Sequence, residues 1–222
     1  RSSLCTVECI SEIKPNTPEK DNNPSSQVVK KNTSTYLYSP QMPEDNPTTK
    51  TEGTTAEISH LTQGNIGLLI VDLQEGFNPS PDLVEKIKKL TEQDYAAVFA
   101  TKFVNMTDSQ YRSQLDYTNM SAEDPAIDLV FREPRSKTLI KPGYGLSPEQ
   151  IDLLKSTGIN TWHLCGLQTD ACVMACAFNL WDSGLIPVLI SDCCEASSEK
   201  AHEEAVASFT RQFGINNVRW SN

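Results

Sequence analysis

Three ionisable side chains in this chain each stand immediately beyond a short apolar run: a thiol, a carboxylate and an ammonium. Cys172 lies in Cys165-Gly166-Leu167-Gln168-Thr169-Asp170-Ala171-Cys172-Val173, after the apolar run Thr161-Trp162-His163-Leu164-Cys165. That run reads as a core strand, with Thr169 or Asp170 as the N-cap of the helix that follows and Gly184 as its stop. Cys172 would then sit in the first helical turn, where unpaired amides and the positive end of the helix dipole favour the thiolate, the form that attacks a carbonyl. Position alone fits a small core residue equally well. Asp72 follows Ile66-Gly67-Leu68-Leu69-Ile70-Val71, an unbroken apolar run suited to a strand buried on both faces. Lys141 follows Thr138-Leu139-Ile140. Ligands of open α/β sheets bind at the carboxyl ends of the strands, so three strands would deliver an acid, a base and a thiol to one edge.

The remaining elements alternate in the way such an edge requires. Ser80-Pro81 opens a helix carrying Leu83, Val84, Ile87 and Leu90 on one face, and Ala96 to Thr101 follows as a strand. Ser147-Pro148-Glu149-Gln150 combines an N-cap, a proline at the first helical position and a capping-box glutamine, and Gly158 ends that helix. Ile186 to Ile190 reads as a strand followed by Cys193-Cys194. Ser198 begins a helix with Ala201, Ala205, Val206, Phe209 and Phe213 towards the sheet and Gly214 at its end. Repeated units of this kind predict an α/β chain: a three-layer α/β/α sandwich with a mainly parallel central sheet, Rossmann-like, and helices on both faces.

The chain has 222 residues, enough for one good core, and its 38% hydrophobic content is modest because the front is poor in apolar residues. Residues 1–62 hold six of the thirteen prolines and show no apolar periodicity, so they read as a Pro/polar-rich, largely irregular extension ahead of a domain at 63–222. Lys and Arg number 6 against 8 Asp and Glu in residues 1–62, and 13 against 21 in the rest, for a net charge of -10. With no basic stripe to neutralise phosphates, nucleic acid is not an expected partner. No 18-residue apolar run occurs, so no spanning helix is expected. The chain begins at Arg1, which reads as the product of processing or as a piece of something longer.

In order and spacing, Asp72, Lys141 and the Gly166-x-x-Thr169-Asp170-x-Cys172-Val173 segment resemble the isochorismatase-like cysteine hydrolases, a family that includes nicotinamidases and other small amidohydrolases. The resemblance runs from about Asn65 to about Val218. Asp192-Cys193-Cys194-Glu195-Ala196 and His202-Glu203-Glu204-Ala205 also look like the family's later segments. It implies that Cys172 is the nucleophile, that Asp72 takes its proton and hands it to the leaving amine, and that Lys141 holds the charges in place. It also implies an oxyanion hole made by the backbone amides of Gln168 and Cys172, with a cis peptide between Leu167 and Gln168. The implied activity is hydrolysis of an amide-type C–N bond through a thioester. Alternatives are isochorismatase-type or nicotinamidase-type hydrolysis, or a catalytically silent member acting as a binding module.

Nicotinamidases of the family carry a metal site of an Asp and histidines after the second strand. Here that stretch reads Thr101-Lys102-Phe103-Val104-Asn105-Met106, without a histidine. His60, His163 and His202 lack ligand spacing, so neither metal nor other cofactor is expected. Phe77, Phe103 and Tyr144 follow strand ends and would line a substrate pocket, or serve only as packing. A small-molecule substrate and a homo-oligomer are expected. An odd count of seven cysteines makes reduced, cytoplasmic thiols the default, while sequons at Asn32, Asn105 and Asn119 leave a secreted origin open. A thiol redox role, suggested by Cys176, Cys193 and Cys194, lacks a Cys-x-x-Cys motif.

Overall fold

The computed structural model describes residues 65–221. The expected extension and its boundary at 62, with Cys5, Cys9, His60 and the Asn32 sequon, lie outside the described residues. Six strands form one sheet in the order β3-β2-β1-β4-β5-β6, every neighbouring pair parallel. They are β1 (Ile66–Val71), β2 (Ala97–Phe103), β3 (Lys137–Lys141), β4 (Thr161–Leu167), β5 (Ile186–Glu195) and β6 (Val218–Arg219). The helices are α1 (Pro81–Thr91), α2 (Gln110–Leu115), α3 (Pro148–Lys155), α4 (Met174–Asp182) and α5 (Glu199–Phe213). The chain moves outward from β1 to β3, then crosses back to β4 and moves outward on the other side. Right-handed crossovers therefore place α1 on one face and α3, α4 and α5 on the other. The three-layer sandwich expected from the sequence is present, with a sheet that is parallel throughout.

Burial explains each strand's composition. All six residues of β1 are buried, as a central strand covered on both faces must be. At the edge, β3 alternates, with Leu139 and Lys141 buried and Ile140 exposed. At the centre of the core, Trp162 lies directly over Gly67, where an added Cβ would come within 2.4 Å of the indole ring. It meets Phe99 edge-on at 5.6 Å and donates from its indole nitrogen to the Ile159 carbonyl. Ser80, Ser147 and Ser198 cap α1, α3 and α5 as expected, and Ser147 and Gln150 make both halves of the capping box.

Two expected boundaries move. β5 runs to Glu195 rather than stopping at Ile190, so Cys193 and Cys194 lie inside a strand, buried, instead of after one. The helix expected to be capped by Thr169 or Asp170 begins a residue earlier, with Gln168 at its N-cap and a π-turn over Thr169–Val173. Strand pairing with β4 at Gly166 and Leu167 prolongs β5, a contact between distant segments that local patterns do not carry.

His163 is buried on β4, and its Nε2 has no hydrogen-bond partner among the described residues. Its Nδ1 lies 2.9 Å from the Tyr95 hydroxyl. Burial, with Arg219 as a second cause, pushes its pKa down to about 4 from 6.5. Folding thus favours the neutral ring: the stabilisation is complete above pH 6.5 and is lost as pH falls towards 4. We predict that denaturant unfolding of the wild-type chain shows a steeper loss of stability between these pH values than His163→Gln does, by up to about 3 kcal/mol in total. Parallel pH profiles would contradict it.

Candidate active site

The order of strands reverses between β1 and β4, and open α/β sheets form their crevice at such a switch point. Asp72 follows β1 there, and the π-turn bearing Cys172 follows β4. Gly166 allows the two ends to approach. It is level with Val71 in the ladder, has φ +109, and a Cβ on it would lie 2.1 Å from the Val71 carbonyl oxygen. A side chain at this position would push β4 away from β1, and its backbone angle would be strained as well.

Asp72 leaves β1 with φ 45, a left-handed conformation that aspartate tolerates better than most residues. Its carboxylate is fully buried. The Thr101 hydroxyl, at the end of β2, donates to Oδ1 at 2.6 Å and accepts from the Asp72 amide at 3.0 Å. Oδ2 faces Lys141 Nζ at 2.7 Å. Lys141 reaches Asp72 from the far end of β3, passing over the Phe103 ring at 5.6 Å, and donates to the carbonyls of Gly143 at 2.8 Å and Tyr144 at 3.0 Å. Its side chain is 1% exposed. Burial pulls the ammonium's pKa down, but the Asp72 charge and the nearby Cys172 thiol outweigh it, so the pKa is raised and Lys141 stays protonated.

Cys172 is buried, and burial together with Asp72 pushes its thiol up to about 12, against the opposing pull of Lys141. Burial and the Asp72 carboxylate thus favour the protonated thiol, opposite in direction to the thiolate that a helix start was expected to favour. Within the π-turn, the Gln168 carbonyl accepts the amides of Ala171 and Val173, on either side of Cys172. The Leu167–Gln168 peptide is cis, as the resemblance implies. Thr169 is buried and bonded through Oγ1 to His202 Nδ1 at 2.9 Å, and His202 Nε2 lies 3.4 Å from the Ser191 hydroxyl. His202 thus ties α5 and β5 to the turn that carries the thiol.

Cys172 opens into a cavity of about 300 Å³. The three aromatics singled out in the sequence, Phe77, Phe103 and Tyr144, all line it, together with Gln168 and Ala171. Tyr111 and Leu115 of α2 and Tyr117 complete the wall and were missed, because a six-residue helix between strands carries no chemical signature. Phe103 and Tyr111 meet edge-on at 5.0 Å, as do Tyr111 and Tyr144. Burial and the nearby Cys172 push the Tyr111 hydroxyl's pKa up, so it remains a neutral donor. Gln74, also unmarked in the sequence, is fully buried and ties the end of β1 to β2 by giving and receiving hydrogen bonds with the Phe103 backbone.

An isochorismatase-domain sequence profile matches residues 67–216. This chain belongs to the isochorismatase-like hydrolase family. No individual curated protein matches the sequence significantly. Among solved structures it is similar to a cysteine hydrolase from Pseudomonas syringae pv. phaseolicola 1448A, at 16% identity over 72% of this chain and 91% of that one, TM-score 0.65. It is also similar to N-carbamoylsarcosine amidase from Thermoplasma acidophilum, at 21% identity over 71% and 97%, TM-score 0.61. A third likeness is to the pyrazinamidase of Pyrococcus horikoshii in complex with zinc, at 16% identity over 70% and 98%, TM-score 0.57. At these identities the likenesses establish the shared fold.

The residues at the end of β2 and just after it do not suit a metal. Lys102 pairs with Asp128 at 3.2 Å, and the buried Asn105 gives both amide hydrogens to the carbonyls of Tyr117 and Asn119 while accepting from Ser109. Among the described residues no cluster of histidine, cysteine or carboxylate side chains could hold an ion. The same bonds commit Asn105 to the interior, so its sequon is structural.

Because Asp72 and Lys141 are buried together, each is costly without the other. Lys141→Met should destabilise the fold by about 3–5 kcal/mol, whereas adding Asp72→Asn should restore much of that loss. Chemical denaturation of the single and double variants measures it. A single variant as stable as wild type, or a double variant worse than either single, would contradict the pairing.

Proposed function

We propose that this hydrolase cleaves an amide-type C–N bond of a small neutral molecule, with Cys172 as nucleophile, Asp72 as proton carrier and Lys141 as the fixed positive charge. The observation that carries the proposal is the convergence of a cavity-lining thiol on a buried carboxylate that is paired with a buried lysine at 2.7 Å. With the thiol neutral at rest, attack and proton transfer go together: Sγ bonds to the carbonyl carbon as its proton passes to Asp72. The negative oxygen would be held by the backbone amides of Gln168 and Cys172. Asp72 then gives the proton to the nitrogen, the C–N bond breaks, and an amine or ammonia leaves a thioester on Cys172. Water attacks the thioester, loses a proton to Asp72, and the expelled thiolate regains it. One carboxylate thus serves as base and acid in turn, a role that contributes about 10²–10⁴-fold.

The cavity lining favours an uncharged substrate with a planar or apolar acyl group. Its walls are aromatic and aliphatic, and they contribute no cation to hold a carboxylate, since Lys141 is engaged by Asp72 and two carbonyls. Nothing in this scheme passes through a metal. A redox role draws little support, because Cys165, Cys176, Cys193 and Cys194 are buried and Cys172 alone of the described cysteines lines the cavity.

Ammonia release across a panel of small neutral carboxamides, followed by mass spectrometry of the quenched enzyme, tests the proposal. The expected result is turnover that survives chelation, with an acyl adduct on the Cys172 peptide. Cys172→Ala should abolish activity, and Asp72→Asn should lower it by at least about 10²-fold. Turnover that survives Cys172→Ala, or that chelation removes and zinc restores, would overturn it.

A further inference from the structure

Tyr111 is held in the wall of the Cys172 cavity by its own stretch of chain. The buried Asn105 gives its amide hydrogens to the Tyr117 and Asn119 carbonyls and accepts from Ser109, the N-cap of α2. Beyond that helix the Tyr117 amide donates to the Tyr111 carbonyl at 2.9 Å. The ring packs edge-on against Phe103 and Tyr144, each at 5.0 Å. Phe103 ends β2 and Tyr144 follows β3, so Tyr111 stands on the Asp72–Lys141 side of the cavity, while Gln168 and Cys172 close it from the β4 side. The Tyr111 hydroxyl makes no hydrogen bond among the described residues and is not walled in. Cys172 and Asp72 both act on it electrostatically, whereas the charge acting on Tyr117 is Asp124. A fixed ring thus presents an unused donor close to the reacting groups.

We propose that Tyr111 is a specificity-determining residue, its hydroxyl donating a hydrogen bond to an oxygen or nitrogen acceptor on the substrate's acyl group. The assignment rests on the amide hydrolysis proposed above and narrows its substrates to small neutral amides that carry such an acceptor. In that scheme the carbonyl oxygen is met by backbone amides, and the leaving nitrogen by the proton that Asp72 carries. The acyl group is the part of the substrate left for a donor on the opposite wall. A tyrosine already locked by packing loses little freedom on binding. Its hydroxyl must give up water when the cavity fills, which disfavours an acyl group that offers nothing in return.

Binding in a Cys172→Ala background tests this without requiring turnover. Calorimetric titration of the full chain, with and without Tyr111→Phe, compares cyclohexanecarboxamide with the tetrahydropyran carboxamides, in which one ring methylene is replaced by oxygen at each position in turn. At least one oxygen isostere should bind about five- to tenfold tighter than cyclohexanecarboxamide. Tyr111→Phe should erase that preference and leave the affinity for cyclohexanecarboxamide within about twofold, which also shows the cavity to be intact. Equal affinities across the series, a preference that survives Tyr111→Phe, or no binding by any member would overturn the assignment. The hydrolase reading fails separately, on turnover and on the acyl adduct in the chain that retains Cys172.

Discussion

The ion pair between Asp72 and Lys141 is the constraint on which the arrangement depends. Two charges at 2.7 Å, with 0% and 1% of their side chains exposed, exist in a protein interior only if each supplies what water would have supplied to the other. The remaining valences are filled from the surroundings: Thr101 on one carboxylate oxygen, the Gly143 and Tyr144 carbonyls on the ammonium. To bring these groups together, the chain needs the ends of β1, β2 and β3 in register, and a parallel sheet supplies that register. The turn after β3 is bound to the site by the same lysine that the site uses.

The pair also sets the state of the thiol. A lysine alone would draw Cys172 towards the thiolate, but burial opposes it, and Asp72 beside it adds to that opposition more strongly than the lysine pulls. The proposed chemistry therefore moves a proton at the moment of attack, onto the carboxylate that Lys141 pairs. A neutral resting thiol is also less prone to oxidation than a thiolate, since the oxidation ladder starts from the thiolate.

Most of the fold was legible because it is local. Serine caps, a proline at the first helical position and unbroken apolar runs marked α1, α3, α5, β1 and β4. Asp72 and Lys141 were legible because each stands at a strand end, and Cys172 because it lies in the motif that follows one. What escaped depends on contacts between distant segments. Thr101 resembles any strand threonine until Asp72 is beside it, Gln74 looks like a loop residue, and Tyr111 and Tyr117 belong to a stretch without periodicity. The π-turn escaped because helix-start rules assume a regular first turn, and the high pKa of Cys172 because burial depth is not written in local sequence. Gly166 was visible as part of a motif, but its physical reason, a backbone oxygen where a Cβ would be, required the sheet.

The most direct test of the account is the ionisation of Cys172 itself, followed by thiolate ultraviolet absorbance against pH in the wild-type chain with Cys172→Ala as the blank. The account predicts no Cys172 thiolate through the neutral range, with ionisation only as pH approaches about 12 or the fold gives way. A thiolate already present at neutral pH and absent from Cys172→Ala would contradict it, and would show that Lys141 and the helix start dominate over burial.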